Sequence, residues 1–265
     1  MNVYDLVVEK ILKAMEQGIA PWVSPYAGKP NKNLVSKKEY RGINSLLLNA
    51  VATANGFKSP YWATFKQATE LGLKVKKGSK ATMVVFWKDF EVEEEEEKTS
   101  KRFVLRYYNV FNASQLEGYE EKESEACNND VLNDYCKREG IEIKLANAVA
   151  SFYAPGSDSI VLAPTKSEYY DSNFAHECIH STGHPKRLGR FELGFIETPE
   201  RSLEELVAEI GASMLCSIMG KPAHIENTAS YVSSWADFLR EDKKTSIIKA
   251  SSMAQKAVDY ILNKK

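Results

Sequence analysis

The chain has 265 residues, 43% hydrophobic and 27% charged, with a formal net charge of −1. That length suits one large domain or two modest ones, and the composition is that of a globular protein, which excludes a disordered or fibrous chain. The longest apolar stretches, such as Ala81 to Trp87, are far too short to cross a bilayer, and the amphipathic start with Asp5 and Glu9 lacks the layout of a secretion signal, so a cytoplasmic protein with no membrane contact is expected.

In chain order, Val3 to Gln17 reads as a helix with Val3, Leu6, Val7, Ile11, Leu12 and Met15 on one face, ended by Gly18. A loop rich in Pro, Gly, Asn and Lys follows, from Ala20 to Lys38. Asn44 to Ala54 and Thr64 to Leu71 read as helices, the first closed by Asn55-Gly56. Thr82 to Phe90 and Phe103 to Phe111 read as apolar strands, joined by the acidic run Glu93 to Glu97 as a solvated hairpin tip. The polar stretch 117–130 is the best domain boundary and predicts domains at 1–118 and 128–265.

The second half opens with a helix from Val131 to Arg138. Ile141–Lys144 and two short strands within Ala150–Leu162 follow, the latter turning at Pro155-Gly156-Ser157-Asp158. Helices are expected at Ser167–Thr182, Pro199–Met219, Asn227–Glu241 and Ser246–Leu262. The whole is an α+β protein: an α+β first domain, then a mostly helical one with a small sheet. The four cysteines, Cys127, Cys136, Cys178 and Cys216, form no C-x-x-C pair, which argues against a zinc ribbon or a disulfide framework. Cys178 reads as a small buried apolar residue.

The near-zero charge hides an asymmetry. Residues 1–80 hold thirteen Lys/Arg against five Asp/Glu, whereas residues 119–265 hold seventeen against twenty-three. The first half therefore expects an anionic partner.

His176-Glu177-Cys178-Ile179-His180 fits H-E-x-x-H. On a helix, side chains four apart stack on one face, so two imidazoles at that spacing can share one Zn²⁺ at about 2.0–2.1 Å. Glu177, one residue round, faces an attacking water and can take its proton and return it to a leaving amine. A zinc hydrolase needs a third protein ligand. Glu205 is assigned that role, with Glu209 hydrogen-bonding the free nitrogen of a ligand histidine. Ser202-x-x-Glu205 is also a capping box, in which Glu205 would serve only the helix start. Thr198-Pro199 offers an earlier start that would place Glu205 a turn inside. His184, just past Gly183, is an alternative third ligand, a supporting donor or part of the turn.

These segments resemble a known family, the ArdC-type antirestriction proteins and the related polyvalent-protein metallopeptidases of plasmids and phages. In the first half the likeness rests on Gly18 to Trp22, Tyr40 to Asn44, Tyr61 to Ala68, Lys77 to Thr82, Val84 to Trp87 and Arg106 to Asn112. In the second it rests on Ala154-Pro155, His176 to His180, Thr182-Gly183-His184 with Arg187-Leu188 and Arg190, Glu204 to Gly211, and Tyr231-Val232-x-x-Trp235. Ser79-Lys80-Ala81 replaces the more usual Glu-Lys-Gly. The resemblance implies an N-terminal single-stranded DNA-binding domain, a C-terminal zincin-like domain, and a role in protecting DNA newly entering a cell.

Single-strand binders combine a basic track for phosphates with aromatic faces for bases. Lys37, Lys38, Arg41, Lys66, Lys76, Lys77 and Lys80 supply the charge, with Trp22, Tyr40, Tyr61 and Trp62 as stacking candidates beside Phe65; the alternative for each ring is a core position. Two readings follow. One is a DNA-tethered zinc metallopeptidase cutting an unidentified protein substrate; the other is a non-enzymatic single-stranded DNA shield with a structural metal.

Overall fold

The computed structural model describes residues 3–26, 28–94, 98–121, 130–190, 199–223, 232, 235–237, 239 and 245–264. The expected helix at 227–241, the tip residues 95–97, most of the acidic boundary, Cys127 and Thr198 lie wholly or largely outside them.

Helix α1 (Val3–Glu16) buries Val7, Ile11, Leu12 and Met15 completely, as its apolar stripe predicts. It ends where Gly18, at φ 76, returns its N–H to Met15. Helix α2 (Ile43–Asn55) ends the same way on Gly56, at φ 63. Helix α3 (Phe65–Glu70) starts with a reciprocal cap: Thr64 Oγ1 accepts from the Gln67 N–H at 3.2 Å, and Gln67 Oε1 accepts from the Thr64 N–H at 3.0 Å.

Strands β1 (Lys32–Asn33), β2 (Tyr61–Thr64), β4 (Thr82–Glu94) and β5 (Lys98–Asn112) form one sheet in the order β1-β2-β5-β4. Strands β3 (Lys74–Val75) and β6 (Leu116–Glu117) pair separately. The expected long hairpin is present, but Tyr61–Thr64, ahead of or at the start of the expected helix from Thr64, is a strand. Four residues are too few to show alternation, and the Thr64 cap follows immediately. Asn44 of α2 pins β4 by donating to the Val85 carbonyl at 2.7 Å and accepting its N–H at 2.9 Å.

In the second half, α4 (Val131–Glu139) leads into a three-stranded sheet ordered β7 (Glu142–Leu145), β9 (Ser159–Leu162), β8 (Phe152–Ala154). Arg187 clamps the β8–β9 turn: it pairs with Asp158, donates to the Tyr153 hydroxyl at 2.9 Å and reaches the Ser181 carbonyl at 2.6 Å. This ties the small sheet to the end of α5 (Ser167–Thr182). Helix α6 (Pro199–Ile218) crosses α5, and α7 (Thr245–Ile261) packs on both.

The two halves are not separate bodies. One apolar core runs from Ile11 and Leu46 through Ile179 and Leu206 to Ala250 and Val258. Ser213 on α6 donates to the Trp22 carbonyl, and Arg41 pairs with Asp259 on α7. Gly28, at φ +80, lies so close to the Gly220–Lys221 backbone that a Cβ would come within 2.6 Å of Gly220. Among the described residues no helix is long and apolar enough to cross a membrane.

Candidate metal centre and nucleic-acid interface

Helix α5 carries His176 and His180 one turn apart, and α6 brings Glu205 to meet them. The crossing is close because α6 has Gly211 against Ile179; a Cβ there would lie 2.6 Å from the Ile179 side chain. The two Nε2 atoms are 3.0 Å apart, and Glu205 Oε2 lies 3.4 Å from His176 Nε2 and 3.5 Å from His180 Nε2. Among the described residues these three form a cluster able to hold a metal ion. A tetrahedron with bonds near 2.0–2.1 Å has edges of about 3.3 Å, so the observed triangle fits three corners of such a site. Helix α6 begins at Pro199, which leaves Glu205 a full turn inside and removes the capping reading.

The partner that fixes His180 is Glu204. Glu204 Oε1 lies 3.4 Å from His180 Nδ1, so the Nδ1–H points at the carboxylate and Nε2 is left facing the triangle. Glu204 is itself gripped by Arg190, whose Nε and Nη2 donate at 2.8 and 2.6 Å. The same guanidinium donates to the Ile179 carbonyl at 2.8 Å and Thr182 Oγ1 at 2.6 Å, locking it to the end of α5. Glu209, the expected partner of a ligand histidine, lies buried one turn further along α6 and lines a cleft together with His176 and Glu177. Glu204 and Glu205 lie about 100° apart round the helix and flank His180 from two sides.

Charge favours a cation at this point. Burial disfavours a charged His180, but the carboxylates of Glu204 and Glu205 outweigh it and push the imidazole up to about 10. Burial likewise opposes ionisation of Glu205, yet contact with His176 and His180 holds it far below the usual carboxylate range.

The triangle borders a cleft of about 600 Å³. His176 and Glu177 lie on its α5 side with Tyr169 nearby, and Val149 to Ser151 line it ahead of edge strand β8. Glu177, only 6% exposed, is therefore inside the cleft beside His176. His184 is not part of this group. Its Nδ1 accepts the Lys186 N–H at 3.1 Å within the turn after α5, and burial holds its pKa down. Cys178 is fully buried against Cys136, with the sulfurs 3.8 Å apart.

Two family descriptions divide this chain. Residues 1–111 match the N-terminal domain of anti-restriction factor ArdC, and residues 130–253 match a zincin-like metallopeptidase. The uncharacterised protein y4eC of Sinorhizobium fredii is 30% identical over 98% of this chain and 91% of its own length. The chain belongs to the ArdC antirestriction family. It superposes on the crystal structure of the metal-free ArdC protein from plasmid R388 with a TM-score of 0.81, at 33% identity, covering 100% of this chain and 98% of that one. The Mn(II)-bound structure of that protein gives 0.79 at 34% identity, with the same coverage. Two Escherichia coli proteins named DNA primase TraC are 30% and 31% identical over 98% of this chain, which spans only 27% and 20% of their lengths.

In the ArdC-type first half, the structure removes several expected stacking faces. Trp62 is fully buried, donating its indole N–H to Asn31 at 2.7 Å, while Trp22 and Tyr40 are 3% and 7% exposed. A base cannot stack on rings that the core already covers. Tyr61 is half-buried, with the Lys37 ammonium 4.4 Å above its ring. Arg41 is engaged with Asp259 and Lys66 with Glu70 at 3.7 Å. Lys38 is exposed in the β1–β2 connection. Lys76, Lys77 and Lys80 line a second cleft.

Of the expected rings Phe65 is exposed, at 62%, and Tyr107 at 57%, Tyr108 at 45% and Phe86 at 41% are exposed outside the expected set. Phe86 pairs with Arg106 and Val84 with Tyr108 across β4 and β5, which puts Phe86, Arg106 and Tyr108 on one face, the two rings 5.6 Å apart. The sequence held a signal for this. Adjacent tyrosines in a strand point to opposite faces, so Tyr107 and Tyr108 cannot both enter one core.

Proposed function

We propose that this ArdC-family protein binds single-stranded DNA through its basic first half and carries a zinc-peptidase-type site on α5 and α6. It would act in the cytoplasm to protect incoming mobile-element DNA, with a protein as the substrate of its second half. The observation that supports this best is the His176, His180 and Glu205 triangle at the edge of a cleft that also contains Glu177. Three protein donors beside open space suit a hydrolytic site better than a closed structural one, which uses four.

Each side chain has its own task in this reading. His176, His180 and Glu205 would hold a divalent ion, which when bound supplies Lewis acidity toward a carbonyl and an attacking water. Glu204 and Arg190 keep His180 in the tautomer that turns Nε2 inward. Glu177 takes the proton from the attacking water and delivers it to the leaving amine. The cleft between Tyr169 and the residues ahead of β8 admits the substrate chain.

Glu177→Gln tests the chemistry while keeping shape. Protection and any peptidase activity should fall by about 10²–10⁴-fold or more, with metal content and DNA affinity unchanged. A variant that protects as well as the parent would end the enzymatic reading and leave that of a DNA shield with a structural metal.

A further inference from the structure

A cleft of about 760 Å³ opens in the first half, between α1, the C-terminal end of α2 and the loop from β3 to β4. Five lysines line it: Lys10 and Lys13 from α1, and Lys76, Lys77 and Lys80 from the loop. No Asp or Glu is among its described lining residues. The charge is converged by structure. Lys10 and Lys13 stand three apart on one helix face, exposed on the side opposite the buried stripe of Val7, Ile11 and Leu12. Across the opening, the Ser79 N–H closes a turn on the Lys76 carbonyl at 3.1 Å, and Gly78, at φ +84, takes the position that a type II turn reserves for positive φ. Lys76 is tethered by its ammonium to the Ser114 carbonyl at 2.8 Å.

Five ammonium groups around one concavity repel each other unless an anion lies between them. Some other basic residues of this half are held by carboxylates: Arg41 by Asp259, Lys66 by Glu70 and Lys32 by Glu39 at 3.9 Å. The opening is the size of a small-ligand site and has room for a sugar-phosphate strand.

We infer that this cleft is the phosphate track for single-stranded DNA, and that Lys10 and Lys13 of the first helix are DNA-binding residues. This rests on the proposed single-stranded DNA binding and narrows it to one surface. The track lies apart from Trp22 and Trp62, which the core has taken. It explains how a half with buried tryptophans still has a basic path: the strand is held by its backbone, with little dependence on base identity.

The test is binding of a fluorescent oligothymidylate to the full chain across a salt series. The variants are Lys10→Gln/Lys13→Gln, Lys77→Gln/Lys80→Gln, and Lys144→Gln, exposed on β7 of the second half, as a control, with melting temperatures checking folding. Each cleft pair should weaken binding by about tenfold or more. It should also flatten the slope of log K against log salt by about 1.4, since every phosphate left unneutralised lowers that slope by roughly 0.7. The control should leave both unchanged. Parent-like affinity and slope in both cleft pairs would overturn the cleft assignment while single-stranded DNA binding stands. A parent that does not bind the oligonucleotide would overturn both.

Discussion

The candidate metal centre and the basic first half differ in how their candidate groups are tied to packing. At the centre, every candidate ligand hangs on a long helix in the shared core, so a helix contact fixes the geometry to tenths of an ångström. In the basic half, the groups that bind an anion must stay at the surface, and helices and loops far apart in sequence bring them together. One site is specified by a spacing of four residues and a helix crossing; the other emerges only from tertiary arrangement. Changes behind the triangle should therefore act through geometry and stability, and changes among the lysines of the basic cleft through charge alone.

The largest effect should come from Glu204→Leu. It leaves the Arg190 guanidinium, 5% exposed, without its carboxylate, at a cost of about 3–5 kcal/mol. Metal affinity should also fall by about 10–100-fold, as for other partners behind a ligand histidine. Calorimetric metal titration beside thermal melting separates the two effects, and unchanged metal affinity would show that Glu204 does not orient His180.

Gly211→Ala should come next. Its Cβ would meet the Ile179 side chain at 2.6 Å, and overpacking of this kind costs about 1–3 kcal/mol. Because the same contact sets the distance between Glu205 and the two histidines, metal affinity should weaken together with the melting temperature. A variant with a lower melting temperature and parent-like metal binding would break the link between helix crossing and triangle.

Trp62→Phe should have the smallest effect and sharpens the contrast from the other side. It removes the buried bond to Asn31 and should cost about 1 kcal/mol or somewhat more. DNA affinity and its salt slope should not change, since the ring is covered. A loss of binding at unchanged stability would return Trp62 to the stacking role suggested by its sequence context.

What could be read from the sequence follows the same division. H-E-x-x-H, the early start at Pro199 and Glu205 as a third donor were legible, because helix periodicity converts spacing into direction. Glu204 as the partner of His180 was not, since only the place of Arg190 beside it gives it that role. Strands β1, β2, β3 and β6 have two to four residues each, too few for alternation to register. The depth of Trp22 and Trp62 was hidden because a ring that stacks on a base and one that fills a core look alike in sequence. Asn31 and Asn49 form the buried polar network around them. Lys10 and Lys13 read as the ordinary solvated face of an amphipathic helix until the loop from β3 to β4 is placed opposite.

Metal content decides the central claim most directly. Elemental analysis of the purified full chain, after incubation with zinc or manganese and removal of free ions, should find one divalent ion per molecule. His176→Ala and Glu205→Ala should each lose it while remaining folded. If Glu205→Ala retained a full equivalent with undiminished affinity, the triangle would not be the metal site, and the hydrolytic role proposed for it would fall as well.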